Sequence, residues 1–174
     1  MNYQVTKKPK LINEQNARKI ICPKNVYQLK EIQEIKDAIQ EHLMYIGLDR
    51  GNHIRNIDIL GIGGSSSIEI DAKYIVRKAI INANDRVILV HNHPSNTLEP
   101  SAQDTKFTSN VEELLKMFNI QLVDHIIVTE NSYVSIKSQG KTNKLDYSLK
   151  HIKNKENEIE MYGRALMERV LCHI

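Results

Sequence analysis

Apolar positions change period several times along this chain, and each change predicts a different element. Val26, Leu29, Ile32 and Ile35, with Ala38 and Ile39 after them, recur at intervals of three and four, which predicts a helix, broken at most once, ending near Glu41. His42 to Leu48 is a mostly apolar run too short for another helix. The turn residues Asp49-Arg50-Gly51-Asn52 follow it, then Ile54, Ile57 and Ile59, so this stretch is expected to form a hairpin. After a glycine and serine segment, Gly61 to Ser67, helical spacing returns at Ala72, Ile75, Val76, Ala79 and Ile80 and stops at Asn82-Ala83-Asn84-Asp85. Arg86 to His91 reads as a buried strand, Pro94 to Pro100 as a loop, and Ser101 to Phe118 as a helix with Phe107, Val111, Leu114, Leu115 and Phe118 on one face. Gln121 to Thr129 and Tyr133 to Ile136 complete the pattern as two more strands. Hairpin-linked strands mixed with strands joined through helices predict an α/β domain built on a mixed sheet.

Both ends differ from this middle. Residues 1–24 are polar, contain Pro9 and Pro23 and keep no period, so they are expected to form an extended basic arm. Residues 139–174 read as a lysine-rich linker and then a helix from about Glu156, with Ile159, Tyr162, Leu166, Val170 and Ile174 at helical spacing. Such a stripe needs a cover, either its own domain, a second copy or another protein.

At 174 residues and 41% hydrophobic, the chain has room for one compact domain with appendages, not for two domains. The run Ile59 to Ile68 is uncharged for only ten residues and carries three glycines, far short of the ~20 needed to span a bilayer. No apolar segment follows the first lysines, so neither a secretory leader nor a membrane association is expected. Cys22 and Cys172, with no Cys-x-x-Cys, fit two thiols in a reducing, cytoplasmic setting better than a disulfide framework. The net charge of +3 hides segregation, because residues 1–24 and 137–155 are each +5 and the rest is −7. Basic flanks could touch nucleic acid, or simply be solvated.

The chemistry concentrates in His91-Asn92-His93-Pro94 and Pro100-Ser101-Ala102-Gln103-Asp104. Residues two apart on a strand share a face, so His91 and His93 at a strand end can offer two imidazoles to one ion. Asp104, three residues after a helix N-cap at Ser101, can return a carboxylate to the same place. Two histidines and one carboxylate leave a fourth zinc position for water, the arrangement of a catalytic site. Ser101 and Asp104 also have the form of a capping box with Asp in place of Glu, which would only start the helix. Hydrolysis further needs a base outside the metal shell, and of several acids Glu41, at the mouth of the first strand, has the chain position to reach a neighbouring strand end.

Glu41, His91-x-His93, Ser101 and Asp104, at these spacings, resemble the JAMM motif of the JAB/MPN metallopeptidase superfamily. The segments Val87 to Ser95, Glu99-Pro100-Ser101 and Leu122-Val123-Asp124-His125 are similar to its RadC-like group, over roughly Lys24 to Ser138. The resemblance implies a JAB/MPN fold, a curved mixed sheet flanked by helices and related to the cytidine-deaminase architecture. It implies one zinc ion per chain on His91, His93 and Asp104, with Glu41 as general acid/base and Ser101 as oxyanion donor, acting on a peptide or isopeptide bond in a peptide or protein substrate. The domain so implied covers residues 25–138.

Two departures qualify it. Asn96 stands where the group has glycine, and Asn tolerates positive φ better than most residues. The first glycine is Gly47, so the glycine-dependent helix-hairpin-helix of longer RadC-like proteins is not expected in residues 1–46, and a DNA-repair role rests on the family name alone. The alternative to the hydrolase is a binding or scaffold module, in a DNA-repair or mobile-element context, using the basic flanks on nucleic acid and the terminal helix on a partner or a second copy. Of the remaining polar residues, either Asp124 or His125 is expected to be core, since neighbours on a strand face opposite ways, with a supporting or ligand role open for the other. His42 should point away from Glu41's side; His53, His151 and His173 read as surface or packing residues; Arg86 and Lys106 are expected to flank the site. Gly140-Lys141-Thr142 lacks the earlier glycine of a phosphate loop, which excludes ATP binding by that motif.

Overall fold

The computed structural model of the protein describes residues 18–63 and 70–139. The first seventeen residues, most of the glycine and serine segment, and the expected linker and C-terminal helix with Cys172, His151 and His173 lie outside the described residues. Two short helices come first, α1 (Pro23–Tyr27) and α2 (Lys30–Gln33), then the strands β1 (His42–Leu48) and β2 (Ile54–Ile62). Helix α3 (Ala72–Ile81), strand β3 (Arg86–Asn92), helix α4 (Ala102–Lys116), strands β4 (Gln121–Val128) and β5 (Tyr133–Ser135) and the helical turn α5 (Ile136–Gln139) complete the order. The strands form one open sheet, β2-β1-β3-β4-β5. Only β3 and β4 are parallel, joined through α4; the other neighbours are antiparallel. The mixed α/β expectation holds.

Each face of the sheet has its own core. On one side Met44, Ile46, Ile88, Val90 and Ile126 meet Val26, Leu29, Ile32 and Ile35 of the first two helices. On the other, Leu43, Tyr45, Val87, Leu89 and Leu122 meet Ala72, Ile75 and Ala79 of α3 and Val111 and Leu115 of α4. β3 lies between β1 and β4 and is buried along its whole length, so its continuous apolar run serves both faces.

Several local expectations change. The first apolar stripe is carried by two helical turns rather than a helix reaching Glu41, because Leu29 takes extended backbone (ψ 138°) and restarts the turn. Helices this short are stable only through packing, and Ile39, expected on the stripe, is 93% exposed where the chain straightens toward β1. The end of the arm is not loose: Ile20 is buried, its N–H donates to Asn52 O (2.9 Å), and Ile54 N–H donates to Arg18 O (2.9 Å). The half-buried Cys22 is disulfide-bonded and not a free thiol, which corrects the expectation of two unpaired thiols. Phe118, expected on the buried face of α4, falls beyond the helix end and is 53% exposed. Among the described residues no helix is long and apolar enough to cross a membrane.

Gly47 in β1 is required by a close approach. A Cβ there would overlap the side-chain oxygens of Asn84 and Asn56. Both asparagines are buried, and Asn84 accepts a hydrogen bond from the Tyr45 hydroxyl at 2.7 Å. Gly47→Ala should therefore lower the unfolding free energy by about 1–3 kcal/mol, the usual cost of overpacking, read as a lower urea midpoint at unchanged slope.

Candidate metal centre

β3 and the residue just beyond its end supply two imidazoles, His91 and His93. Leu43 of β1 pairs with His91, so the residues on Leu43's face share His91's side of the sheet. Glu41, two residues before Leu43, falls on that side, and His42 falls on the other. His91 is 2% exposed, and its Nε2 lies 2.9 Å from His93 Nε2 and 3.4 Å from Asp104 Oδ1; His93 Nε2 lies 3.7 Å from Asp104 Oδ2. One donor atom from each of the three residues falls within 4.8 Å of the others. A tetrahedral ion with bonds of about 2.0–2.2 Å separates its ligand atoms by roughly 3.3 Å, so this cluster has the spacing for one cation.

The donor chemistry agrees. His93 Nδ1 lies 2.7 Å from the Thr97 carbonyl oxygen. A carbonyl only accepts, so that nitrogen carries the proton and the neutral ring leaves Nε2 bare. A bare nitrogen aimed at a carboxylate and a second imidazole must borrow a proton or hold a cation. Accordingly, the Asp104 carboxylate holds the His93 proton above the ordinary imidazole range. Burial pushes His91 down to about 4, so that ring stays neutral. Desolvation raises Asp104, but the neighbouring His93 and the hydrogen bonds from Ser101 outweigh it and hold the carboxyl well below the usual carboxylate range.

The loop and helix that return Asp104 are built locally. Asn96 adopts φ 60°, the conformation anticipated where the resembling group has glycine, and its side-chain oxygen accepts from Glu130 N–H (3.2 Å). Ser101 is the N-cap of α4, and the reciprocal capping box is present. Asp104 Oδ2 accepts from Ser101 N–H (2.8 Å) and Ser101 Oγ–H (2.6 Å), which leaves Oδ1 as the oxygen nearer His91. Capping and carboxylate placement are one arrangement here.

Glu41 is half-buried just before β1, its carbonyl oxygen accepting from Gly63 N–H at 2.8 Å. Burial raises its carboxyl above the ordinary range, the Asp104 charge raises it further, and His93 opposes both. Its segment is clamped by a residue that sequence reasoning passed over. Asn92, between the two histidines and fully buried, donates from Nδ2 to the carbonyls of Ala38 (3.1 Å) and Gln40 (3.0 Å) and accepts from His42 N–H (2.7 Å). The signal available was the alternation itself, which turns the middle residue of His-x-His toward the opposite face.

His125 contacts His91, and Thr108, which no sequence pattern marked, contacts His125. His125 is buried, with Nε2 2.8 Å from His91 Nδ1 and Nδ1 2.6 Å from Thr108 Oγ1, and Thr108 Oγ1 lies 2.6 Å from the Asp104 carbonyl oxygen. Asp124, expected to face the other way, does so: it accepts from Ser135 Oγ–H at 2.7 Å. Both are buried, however, so the expectation of a single core residue is corrected. Arg86 does not flank the site. It begins β3 at the opposite end from His91 and donates to Asn52 Oδ1. Lys106 is exposed on α4.

The open mixed sheet with helices on both faces and a His-x-His and aspartate cluster at a strand end define a JAB/MPN-type domain. The chain belongs to the RadC-like JAB domain family, which matches residues 20–141. It is similar to a UPF0758 protein of Methanosarcina acetivorans, 30% identical over 138 residues that cover 79% of this chain and 60% of that protein. A UPF0758 protein of Enterococcus faecalis is 37% identical over 109 residues, 63% of this chain and 47% of that protein. The chain thus spans about three-fifths of the length of the first of these curated relatives.

If the three side chains form one cation site, removing either end abolishes it. Purified His91→Ala and Asp104→Ala should each lose the bound divalent metal that the parent retains through desalting, measured by elemental analysis alongside a circular dichroism spectrum that shows the fold intact.

Proposed function

We propose that this domain is a zinc-dependent hydrolase that cleaves a peptide or isopeptide bond. The observation that carries the reading is a convergence: two imidazole Nε2 atoms and a carboxylate oxygen point at one another within ion-binding distance, beside a carboxyl whose affinity for a proton is raised by burial. A donor set of two imidazoles and one carboxylate would suit zinc better than a hard cation such as magnesium, which prefers oxygen ligands. Zinc held by His91, His93 and Asp104 supplies a Lewis acid that brings the pKa of a water down to about 7.

The chain's own residues do the rest. Glu41, on the ligands' side of the sheet and not one of the three, takes a proton as the nucleophile attacks and returns it to the departing nitrogen, as general base and then general acid. Its raised proton affinity suits both halves of that task. Asn92 keeps it in reach by tying the backbone on both sides of it to the ligand strand. Ser101 is the donor to the developing oxyanion. Its single hydroxyl proton now goes to Asp104 Oδ2, so this role requires that bond to be given up, while Ser101 N–H goes on holding the same oxygen.

Glu41→Gln separates holding the metal from using it. The variant should retain zinc at the parent stoichiometry and lose about 100-fold or more of the turnover of any peptide or isopeptide substrate found by screening. Turnover that survives the substitution refutes the assignment.

A further inference from the structure

We propose that Thr108 and His125 are positioning residues that set the tautomer of His91, presenting its Nε2 lone pair to the metal site through a hydrogen-bond chain anchored on a backbone carbonyl of α4. The inference rests on the proposed cation site and is independent of the hydrolytic reaction.

The direction of the chain follows from what each atom can do. The Asp104 carbonyl oxygen only accepts, and Thr108 Oγ1 lies 2.6 Å from it, so the single hydroxyl proton lies on that contact. Thr108 reaches back four residues along its own helix to do this. Its oxygen can then only accept at its other contact, 2.6 Å from His125 Nδ1, so His125 carries a proton on Nδ1. His125 is 1% exposed and, among the described residues, is in hydrogen-bond contact with no carboxylate, so a second proton, and a full charge, is costly there. Its Nε2 is therefore bare and accepts from His91 Nδ1–H across 2.8 Å. With the His91 proton on Nδ1, its Nε2 faces His93 and Asp104 as a lone pair. Asp104 thus contributes twice, its side chain to the cation cluster and its backbone carbonyl to the origin of the chain.

Polar partners on a metal-ligating histidine fix its tautomer and orientation, and losing one typically lowers metal affinity by about 10–100-fold. Thr108→Val keeps the shape and removes the hydroxyl, leaving His125 Nδ1–H without an acceptor. His125 then favours a proton on Nε2, which drives the His91 proton onto its own Nε2, toward the metal. Thr108→Ser restores the hydroxyl.

The test combines long-range proton–nitrogen NMR of the histidine rings in the metal-free chain with zinc affinity by chelator competition. In the parent chain His91 and His125 should both be protonated on Nδ1. Thr108→Val should shift the His125 proton to Nε2 and weaken zinc binding by about 10–100-fold, while Thr108→Ser stays within about threefold of the parent. A parent His91 protonated on Nε2 overturns the proposal without any variant, which also covers a Thr108→Val chain that does not fold. So does a Thr108→Val chain with unchanged tautomers, or a loss of affinity equal in the serine and valine variants. A parent that binds no zinc would defeat the proposed site, while the parent tautomers would still report on the chain.

Discussion

The buried imidazole of His91 is the constraint around which the structure is arranged. A polar ring almost wholly removed from water, directly after the apolar run Val87 to Val90, is stable only if each nitrogen has a partner. One nitrogen faces His125 within the protein, and the other faces His93 and Asp104 at the strand end. This division keeps the ring neutral and aims its free lone pair outward. Substituting an apolar residue would remove both demands together, so the polar network is a cost in stability that an apolar strand end would not carry.

Parallel pairing of β3 with β4 makes this possible. The crossover through α4 begins at the end of β3 that carries the histidines, so the first turn of α4 stands beside them. The N-terminal end of a helix is also where a carboxylate is electrostatically favoured and where a capping serine is needed. Ser101 and Asp104 together meet these requirements, and Thr108, one turn further along, faces His125 on β4. On the opposite face Asn92 uses the same strand end to tie down the segment that carries Glu41. A single strand terminus thereby organises both faces of the sheet.

Much of this was legible before any coordinates. The apolar periods gave the strands and the two longer helices to within a few residues, since burial on one or two faces leaves a direct trace in the pattern. His91, His93 and Asp104 were legible as a group because strand alternation and helix-cap spacing are both local rules. The short helices α1 and α2 were less so. Their apolar residues at intervals of three satisfy a continuous helix as well as two separate turns, and only the route into β1 selects the second.

The role of His125 shows where local rules stop. In β4 the register with β3 slips, so that Val87 pairs with Leu122 but Ile88 with Asp124. Val123 is the extra residue, and after it the alternation is out of phase with what came before. That slip places Leu122 and His125, three apart, on the same face, with His125 beneath His91 and Asp124 on the other side with Ser135. The amino-acid sequence by itself determined which segments are strands, which helices bury a stripe, and which side chains can ligate a cation. Tertiary structure decided which strand ends meet, that Glu41 lies on the side of the sheet that carries His91, His93 and Asp104, and that His125 contacts His91, because pairing order and register depend on contacts between residues far apart in the chain, which a local pattern does not encode.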